Sequence, residues 1–141
     1  MTTTNKEAEA ALTKGNNAFE NKDFDSAIIY FTKAIELDPN YAISYNNRGK
    51  AYSNLEQYPE ALGDYTKAIK LDPKHAFAYS NLGGAYNDLK KYPEAILDYI
   101  EAIKLDPNDV VNYTNRGNAY IAFGKTKKAK ADFAKAKSLE N

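Results

Sequence analysis

The sequence contains no cysteine and no tryptophan, and it has only one histidine, His75. Without cysteine the chain can form no disulfide bond, no thiolate metal site and no cysteine nucleophile. His75 also has no second histidine or cysteine with which to share a metal ion. We therefore expect no metal, no cofactor and no catalytic residue, and we interpret the chain as non-enzymatic.

The sequence also has no excess of charge of one sign. It contains 19 basic and 19 acidic residues, for a formal net charge of +0. Such a balance creates no long-range field to attract nucleic acid or an anionic membrane. No apolar run approaches the roughly 20 residues of a membrane span, and the N-terminus lacks the pattern of a signal peptide. We expect a cytoplasmic monomer with no nucleic-acid or membrane partner.

The few prolines and glycines follow one period. Pro39, Pro73 and Pro107 are 34 residues apart, and the same interval separates Pro59 from Pro93. Four glycines keep this step as well: Gly15, Gly49, Gly83 and Gly117. A fixed period of this length indicates structural repeats. The sequence predicts a leader at 1–7 and a single domain at 8–141, with repeats at 8–41, 42–75, 76–109 and 110–141.

Within each repeat, the apolar and small residues recur at helical spacing. In the second repeat Tyr45, Gly49 and Tyr52 lie at i, i+4 and i+7. Pro59 and Pro93 suit the first turn of a helix, whereas the LDP sequences end one. The fold class is therefore all-α with two helices per repeat, predicted at 6–21, 24–37, 42–54, 58–71, 76–88, 92–105, 110–122 and 126–139.

Taken together, these positions resemble the tetratricopeptide repeat. The shared pattern has an aromatic at position 4, Gly at 8, Tyr at 11, Ala at 20 and 27, an aromatic at 24 and Pro at 32, and residues 76–109 match all of it. Ala11, Ala18 and Asn141 depart from the pattern in the terminal repeats. The resemblance implies an α-solenoid of four antiparallel helix pairs in a right-handed superhelix, with the first helix of each pair lining a concave groove.

One stripe of each first helix lies almost opposite the packed face. In the second repeat this stripe is Ile43, Asn47, Lys50 and Asn54. Asn amides carry both donors and an acceptor, which suits binding to a peptide backbone. The arrangement resembles asparagine-ladder tetratricopeptide superhelices, so we expect the groove to bind an extended peptide. Solvated helix faces without a partner are the alternative. The candidate groove residues are Asn16, Asn47, Lys50, Asn54, Phe77, Asn81, Asp88, Asn115 and Asn118.

Arg48 and Arg116 lie one position after the stripe asparagines, and their repeats also contain Asp64 and Asp132. We expect structural ion pairs between the two helices of a repeat, which fix register more than they add stability. The third repeat has Leu82 in place of the arginine but keeps an aspartate, Asp98. A pair between Asp98 and Arg116 across the repeat boundary is the alternative geometry.

Two other functions of tetratricopeptide repeats are possible in principle. Tetratricopeptide domains that grip the C-terminal carboxylate of heat-shock chaperones use two Lys, two Asn and one Arg. Asn16 and Asn47 match, but Leu12, Phe77 and Asn81 replace the three cations, which argues against this clamp. A self-associating scaffold that uses its convex face or its ends is the other alternative.

The last predicted helix carries Lys130 and Lys137 where the earlier repeats have apolar residues. Lysine at these two positions favours a solvated end over burial against a further repeat. We therefore expect this helix to cap the array and the chain to be complete.

Overall fold

The computed structural model describes residues 2–141, which form eight α-helices and no strand. This confirms the all-α class and the four helix pairs. The helices are α1 (Thr3–Glu20), α2 (Phe24–Leu37), α3 (Ala42–Asn54), α4 (Tyr58–Leu71), α5 (Ala76–Asp88), α6 (Tyr92–Leu105), α7 (Val110–Ala122) and α8 (Thr126–Leu139).

Seven helices have the predicted bounds, and α1 differs at both ends. It begins three residues early because the Thr2 side chain caps it, accepting a hydrogen bond of 3.1 Å from the Asn5 N–H. It ends at Glu20, one residue before the predicted end. Part of the predicted leader is thus helical.

The turn inside each repeat uses a left-handed residue. Lys22, Glu56 and Lys90 have φ of 60°, 59° and 61°, and Gly124 has φ of 81°. After Glu56, the Gln57 N–H donates 2.9 Å to the Tyr52 carbonyl, which satisfies one of the last carbonyls of α3. Only one of the four positions has the residue type that adopts this conformation without strain.

The chain divides into two compact units, Met1–Pro73 with α1–α4 and Lys74–Asn141 with α5–α8. In unit 1, α1 packs on α2, α3 on α4, and α2 on α3. In unit 2, α5 packs on α6, α7 on α8, and α6 on α7. Each unit therefore contains two repeats and one packed boundary between them.

The two helices of a repeat meet where a glycine faces an aromatic ring. A Cβ added at Gly49 would lie 2.7 Å from Cε1 of Tyr65, which is only 2% exposed. Gly15, Gly83 and Gly117 face Phe31, Tyr99 and Phe133 in the same way. The repeated glycine is thus set by close backbone approach and not by helix propensity.

A tyrosine of the first helix ties each internal boundary to the preceding turn. The Tyr45 hydroxyl donates 2.9 Å to the Pro39 carbonyl, and the Tyr113 hydroxyl donates 2.9 Å to the Pro107 carbonyl. These bonds position α3 and α7, which carry most of the candidate residues. At the other end of unit 2, Lys130 and Lys137 of α8 are exposed.

Candidate functional site

In unit 1, two stripe asparagines are paired. Asn16 lies on α1 and Asn47 on α3, and the Asn47 amide donates 3.0 Å to the Asn16 side-chain oxygen. Asn16 is exposed and Asn47 is half-buried. Each amide group has more bonding capacity than this one bond uses. The pair therefore presents further donors and acceptors to solvent.

The next residues of the stripe surround this pair. The Lys50 ammonium lies 5.0 Å from the centroid of the Phe19 ring, and the Asn54 amide donates 2.8 Å to the Lys50 carbonyl. Lys50, Phe19 and Glu20 border a small cavity of about 70 Å³ beside the paired amides. The unit 1 stripe thus combines amides, one cation and an aromatic ring within a short length of helix.

The stripe of unit 2 is more apolar. Phe77 on α5 and Val111 on α7 are 67% and 59% exposed. Asn81 and Asn115 are half-buried, and Asp88 and Asn118 are exposed. The position equivalent to Asn16 is occupied by Gly84, so the Asn16–Asn47 pair cannot recur there. The two stripes share their register but not their chemistry.

The predicted arginines lie behind the stripe, and each is paired with the aspartate of its own repeat. Arg48 donates 2.8 Å bonds to both Asp64 carboxylate oxygens and a 3.2 Å bond to the Thr32 hydroxyl. Arg116 donates bonds of 2.9 and 2.7 Å to the Asp132 oxygens. These bonds raise the pKa of both guanidinium groups, although burial opposes the shift.

The same arginines lie between aromatic rings, a feature that the sequence interpretation did not include. The Arg48 guanidinium carbon is 5.9 Å from the centroids of Tyr45 and Tyr52. In unit 2 the corresponding distances from Arg116 to Tyr113 and Tyr120 are 5.8 Å. The recurring sequences YNNRGKAY and YTNRGNAY thus place a cation between two rings. The tyrosines that flank each arginine in these sequences, at helical spacing, are the feature from which this contact could have been predicted.

Asp98 in the third repeat lacks this partner. Leu82 occupies the arginine position, and Arg116 pairs with Asp132, so the alternative Asp98–Arg116 pair is not formed. One Asp98 carboxylate oxygen is buried without a hydrogen bond among the described residues. Burial raises the pKa of Asp98 to about 7, with Glu101 and Glu94 adding to the effect. The third repeat therefore has the aspartate of this ion pair but not the arginine.

A second cavity of unit 1 lies one helical turn before Asn16. It has a volume of about 130 Å³ and is bordered by Glu9 and Leu12 of α1, Asp38 and Tyr41 of the following boundary, and Ser44 of α3. The sequence interpretation assigned no site here. One sequence difference could have pointed to this cavity. Unit 1 has Leu12 and Ser44 at the positions where unit 2 has Ser80 and Asn112.

The described part of the chain has neither a membrane-spanning helix nor a metal-binding cluster. No helix there is both long and apolar enough to cross a bilayer. No group of three or more His, Cys, Asp or Glu residues among residues 2–141 is arranged to hold a metal ion.

Comparisons with known proteins agree with this architecture. Models described as "Tetratricopeptide repeat" match residues 42–75, 76–109 and 99–131, and a "TPR repeat" model matches residues 15–56. A crystal structure of MamA superposes with a TM-score of 0.90 at 28% identity, covering 94% of this chain and 78% of that one.

Other relatives match parts or all of the chain. Hsp70-Hsp90 organizing protein 3 from Arabidopsis thaliana is 49% identical over 57 residues, which are 40% of this chain and 10% of that protein. The first TPR domain of Spaghetti (RPAP3), bound to the HSP90 peptide SRMEEVD, has a TM-score of 0.74 at 29% identity, covering 92% of this chain and 95% of that one. The matches span about a tenth of the length of the curated relatives. With the family models and the helix pairs in agreement, the chain belongs to the tetratricopeptide repeat family.

Proposed function

We propose that this chain is a non-enzymatic, cytoplasmic interaction module that binds an extended peptide segment of a partner protein. The peptide lies along the polar stripe of the first helices, which the family resemblance places in a concave groove. Tetratricopeptide domains serve in protein interactions, and one structural neighbour is described as bound to a peptide. The observation that carries the proposal is the amide pair of Asn16 and Asn47.

The amide pair supports backbone recognition for a physical reason. The bond between Asn47 and Asn16 fixes the orientation of two side chains on adjacent helices. A fixed amide binds a peptide group at a lower entropy cost than a freely rotating one. An extended peptide has unpaired N–H and C=O groups that alternate along its length, and amides satisfy both kinds. The Phe77 and Val111 side chains add apolar contacts without demanding charge on the ligand.

The same residues argue against a carboxylate clamp. Leu12 and Phe77 replace the two lysines, and Asn81 replaces the arginine. A carboxylate bound there would lose water without gaining an opposite charge at these positions. Peptide SRMEEVD is therefore expected to bind more weakly than a peptide with spaced apolar side chains and few charges. If SRMEEVD is the tightest ligand on an unbiased peptide array, the clamp assignment holds and this interpretation of the stripe is wrong.

A triple substitution tests the proposal itself. Replacing Asn47, Asn81 and Asn115 with Ala should leave the helices intact, because Ala is the better helix former. Each lost hydrogen bond to the peptide should weaken binding by about 0.5–1.5 kcal/mol. The probe is the best peptide from the array, measured by calorimetry, with circular dichroism as the folding control. Unchanged affinity in the triple variant would contradict the proposal.

One observation favours the alternative of a self-associating scaffold. Ile29 on α2 and Leu97 on α6 occupy equivalent positions and are 67% and 64% exposed. Exposed apolar side chains that recur in register suit a contact between copies. Sedimentation over a wide concentration range separates the two functions. A monomer throughout supports the peptide-binding module, and dimers that an Ile29→Ser substitution dissociates support the scaffold.

A further inference from the structure

The cavity in front of Asn16 has walls of mixed chemistry. Ala8 and Leu12 supply apolar surface, and the ring of Tyr41 is 42% exposed. Glu9 and Asp38 border the same space, and among residues 2–141 neither forms an ion pair. A partly open cavity that combines apolar walls with two carboxylates outside any ion pair suits a side chain with an aliphatic stem and a cationic head.

Ser44 is an independent indication of a ligand. This residue borders the cavity and is only 2% exposed. Its hydroxyl makes no hydrogen bond within residues 2–141 and its oxygen is not fully sealed from solvent, so it is open to a partner in the cavity. A donor that entered the cavity would satisfy it.

At the equivalent position in unit 2, the polar side chains bond to one another. There, the Ser80 hydroxyl donates to the Asn112 side-chain oxygen, and the Asn112 amide donates 3.4 Å to Asp109. Asn112 is 1% exposed, so these polar groups satisfy one another within the protein. In unit 1 Leu12 and Ser44 replace Ser80 and Asn112, and Leu12 cannot make the corresponding bond. The walls of this cavity in unit 1 therefore differ from their bonded equivalents in unit 2.

We propose that this cavity binds the side chain of one lysine or arginine of a peptide partner, an inference that rests on the proposed function. The aliphatic stem lies against Leu12 and the Tyr41 ring, and the cationic head lies near Glu9 and Asp38 and donates to Ser44. The overall charge agrees, because the first 73 residues contain eleven acidic and eight basic residues. The preferred ligand is thus mostly apolar, with a single basic residue at this end of the stripe.

The first test uses a probe too small to need the rest of the stripe. N-acetyl-arginine amide and N-acetyl-citrulline amide have nearly the same shape, but only the first carries a charge. Titration by nuclear magnetic resonance should shift the backbone amides of Glu9, Leu12 and Ser44 with the arginine compound. The citrulline compound should bind about tenfold more weakly, the size expected for hydrogen bonds to charged groups. Equal binding of the two compounds would overturn the proposal.

Two variants test the cavity walls. Glu9→Gln should weaken the arginine probe several-fold, whereas Glu20→Gln, on the same helix but outside this cavity, should not change it. Leu12→Ser with Ser44→Asn copies the closed arrangement of unit 2 and should abolish binding of the probe. Circular dichroism checks that the double variant folds. If the double variant is unfolded, the Glu9→Gln variant alone tests the proposal. Full binding after Glu9→Gln would contradict the proposal.

The last step separates this inference from the proposed function. The array peptide with its basic residue changed to citrulline is measured against the parent protein and against the Asn47, Asn81 and Asn115 triple variant. If the triple variant binds the peptide weakly but the citrulline substitution leaves the affinity of the parent protein unchanged, the stripe binds peptide and the proposed cation site is wrong. If the arginine amide binds at the cavity but no peptide does, the cavity assignment stands and the proposed function fails.

Discussion

Units 1 and 2 share their internal contacts but differ at the surface. Arg48 and Arg116 each make two bonds to an aspartate of the same repeat. At the surface, Gly84 of unit 2 takes the place of Asn16, so the amide pair of unit 1 does not recur. The bonded residues Ser80 and Asn112 of unit 2 take the places of Leu12 and Ser44, which border the open cavity of unit 1. Packing keeps similar residues at the same place in most repeats, such as the glycine that faces an aromatic ring, whereas the stripe positions vary more. The proposed binding therefore depends on the differences between the units.

The largest effect is expected from breaking the shared ion pair. Arg48→Leu would give the second repeat the arrangement of the third, leaving Asp64 with only 8% of its side chain exposed and no cation. Removing one partner of a largely buried pair should cost about 3 kcal/mol of unfolding free energy. Arg116→Leu should cost a similar amount, since Asp132 is 5% exposed. Denaturant unfolding measures both, and losses below about 1 kcal/mol would show that the pairs contribute only register.

A second substitution separates the second repeat from the fourth by the mobility of the facing ring. A Cβ at Gly49 or Gly117 would approach Tyr65 to 2.7 Å or Phe133 to 2.6 Å. Tyr65 is 2% exposed, whereas Phe133 is 36% exposed and free to move aside. Gly49→Ala should therefore cost about 2 kcal/mol and Gly117→Ala less than about 1 kcal/mol.

Gly63→Ala is the matched control for these two variants. It lies in α4 with nothing within 4 Å of the added Cβ, so it should stabilise the protein by about 0.5–1 kcal/mol. Equal losses at Gly49 and Gly117 in thermal unfolding would contradict the role assigned to ring mobility.

The shared contacts are the part of this protein that its sequence predicts well. Proline, glycine and alanine positions recur because packing and turn geometry leave few choices, so seven helix bounds agree. The start of α1 was missed because Thr2 acts as a cap outside the repeat pattern. The cavity was missed because its walls come from α1 and from the turn before α3, which lie far apart along the sequence. A repeat pattern shows what is constant, and the cavity comes from substitutions at variable positions.

Asp98 offers a smaller test, based on pH. Its pKa in the folded chain is about 7, above the ordinary value of 3.8. A raised carboxyl pKa means that its stabilising contribution is complete below about pH 4 and is lost as pH rises through 7. Since the group is partly exposed, the loss should be about 1 kcal/mol.

Thermal unfolding of Asp98→Asn and the parent between pH 4 and 8 measures this effect. The parent should lose stability relative to the variant as pH rises across that window. Parallel profiles for the two proteins would show that Asp98 is not the titrating group.

The most direct measurement of the difference between the units is the affinity of the array peptide for two single variants. Asn47 is bonded to Asn16 beside the cavities of unit 1, whereas Asn115 occupies the equivalent place in unit 2, where Gly84 replaces Asn16. Asn47→Ala should weaken binding by about 1 kcal/mol, roughly fivefold, and Asn115→Ala by less. Calorimetry that shows the larger loss at Asn115, or no loss at either position, would contradict the claim that binding depends on the paired amides of unit 1.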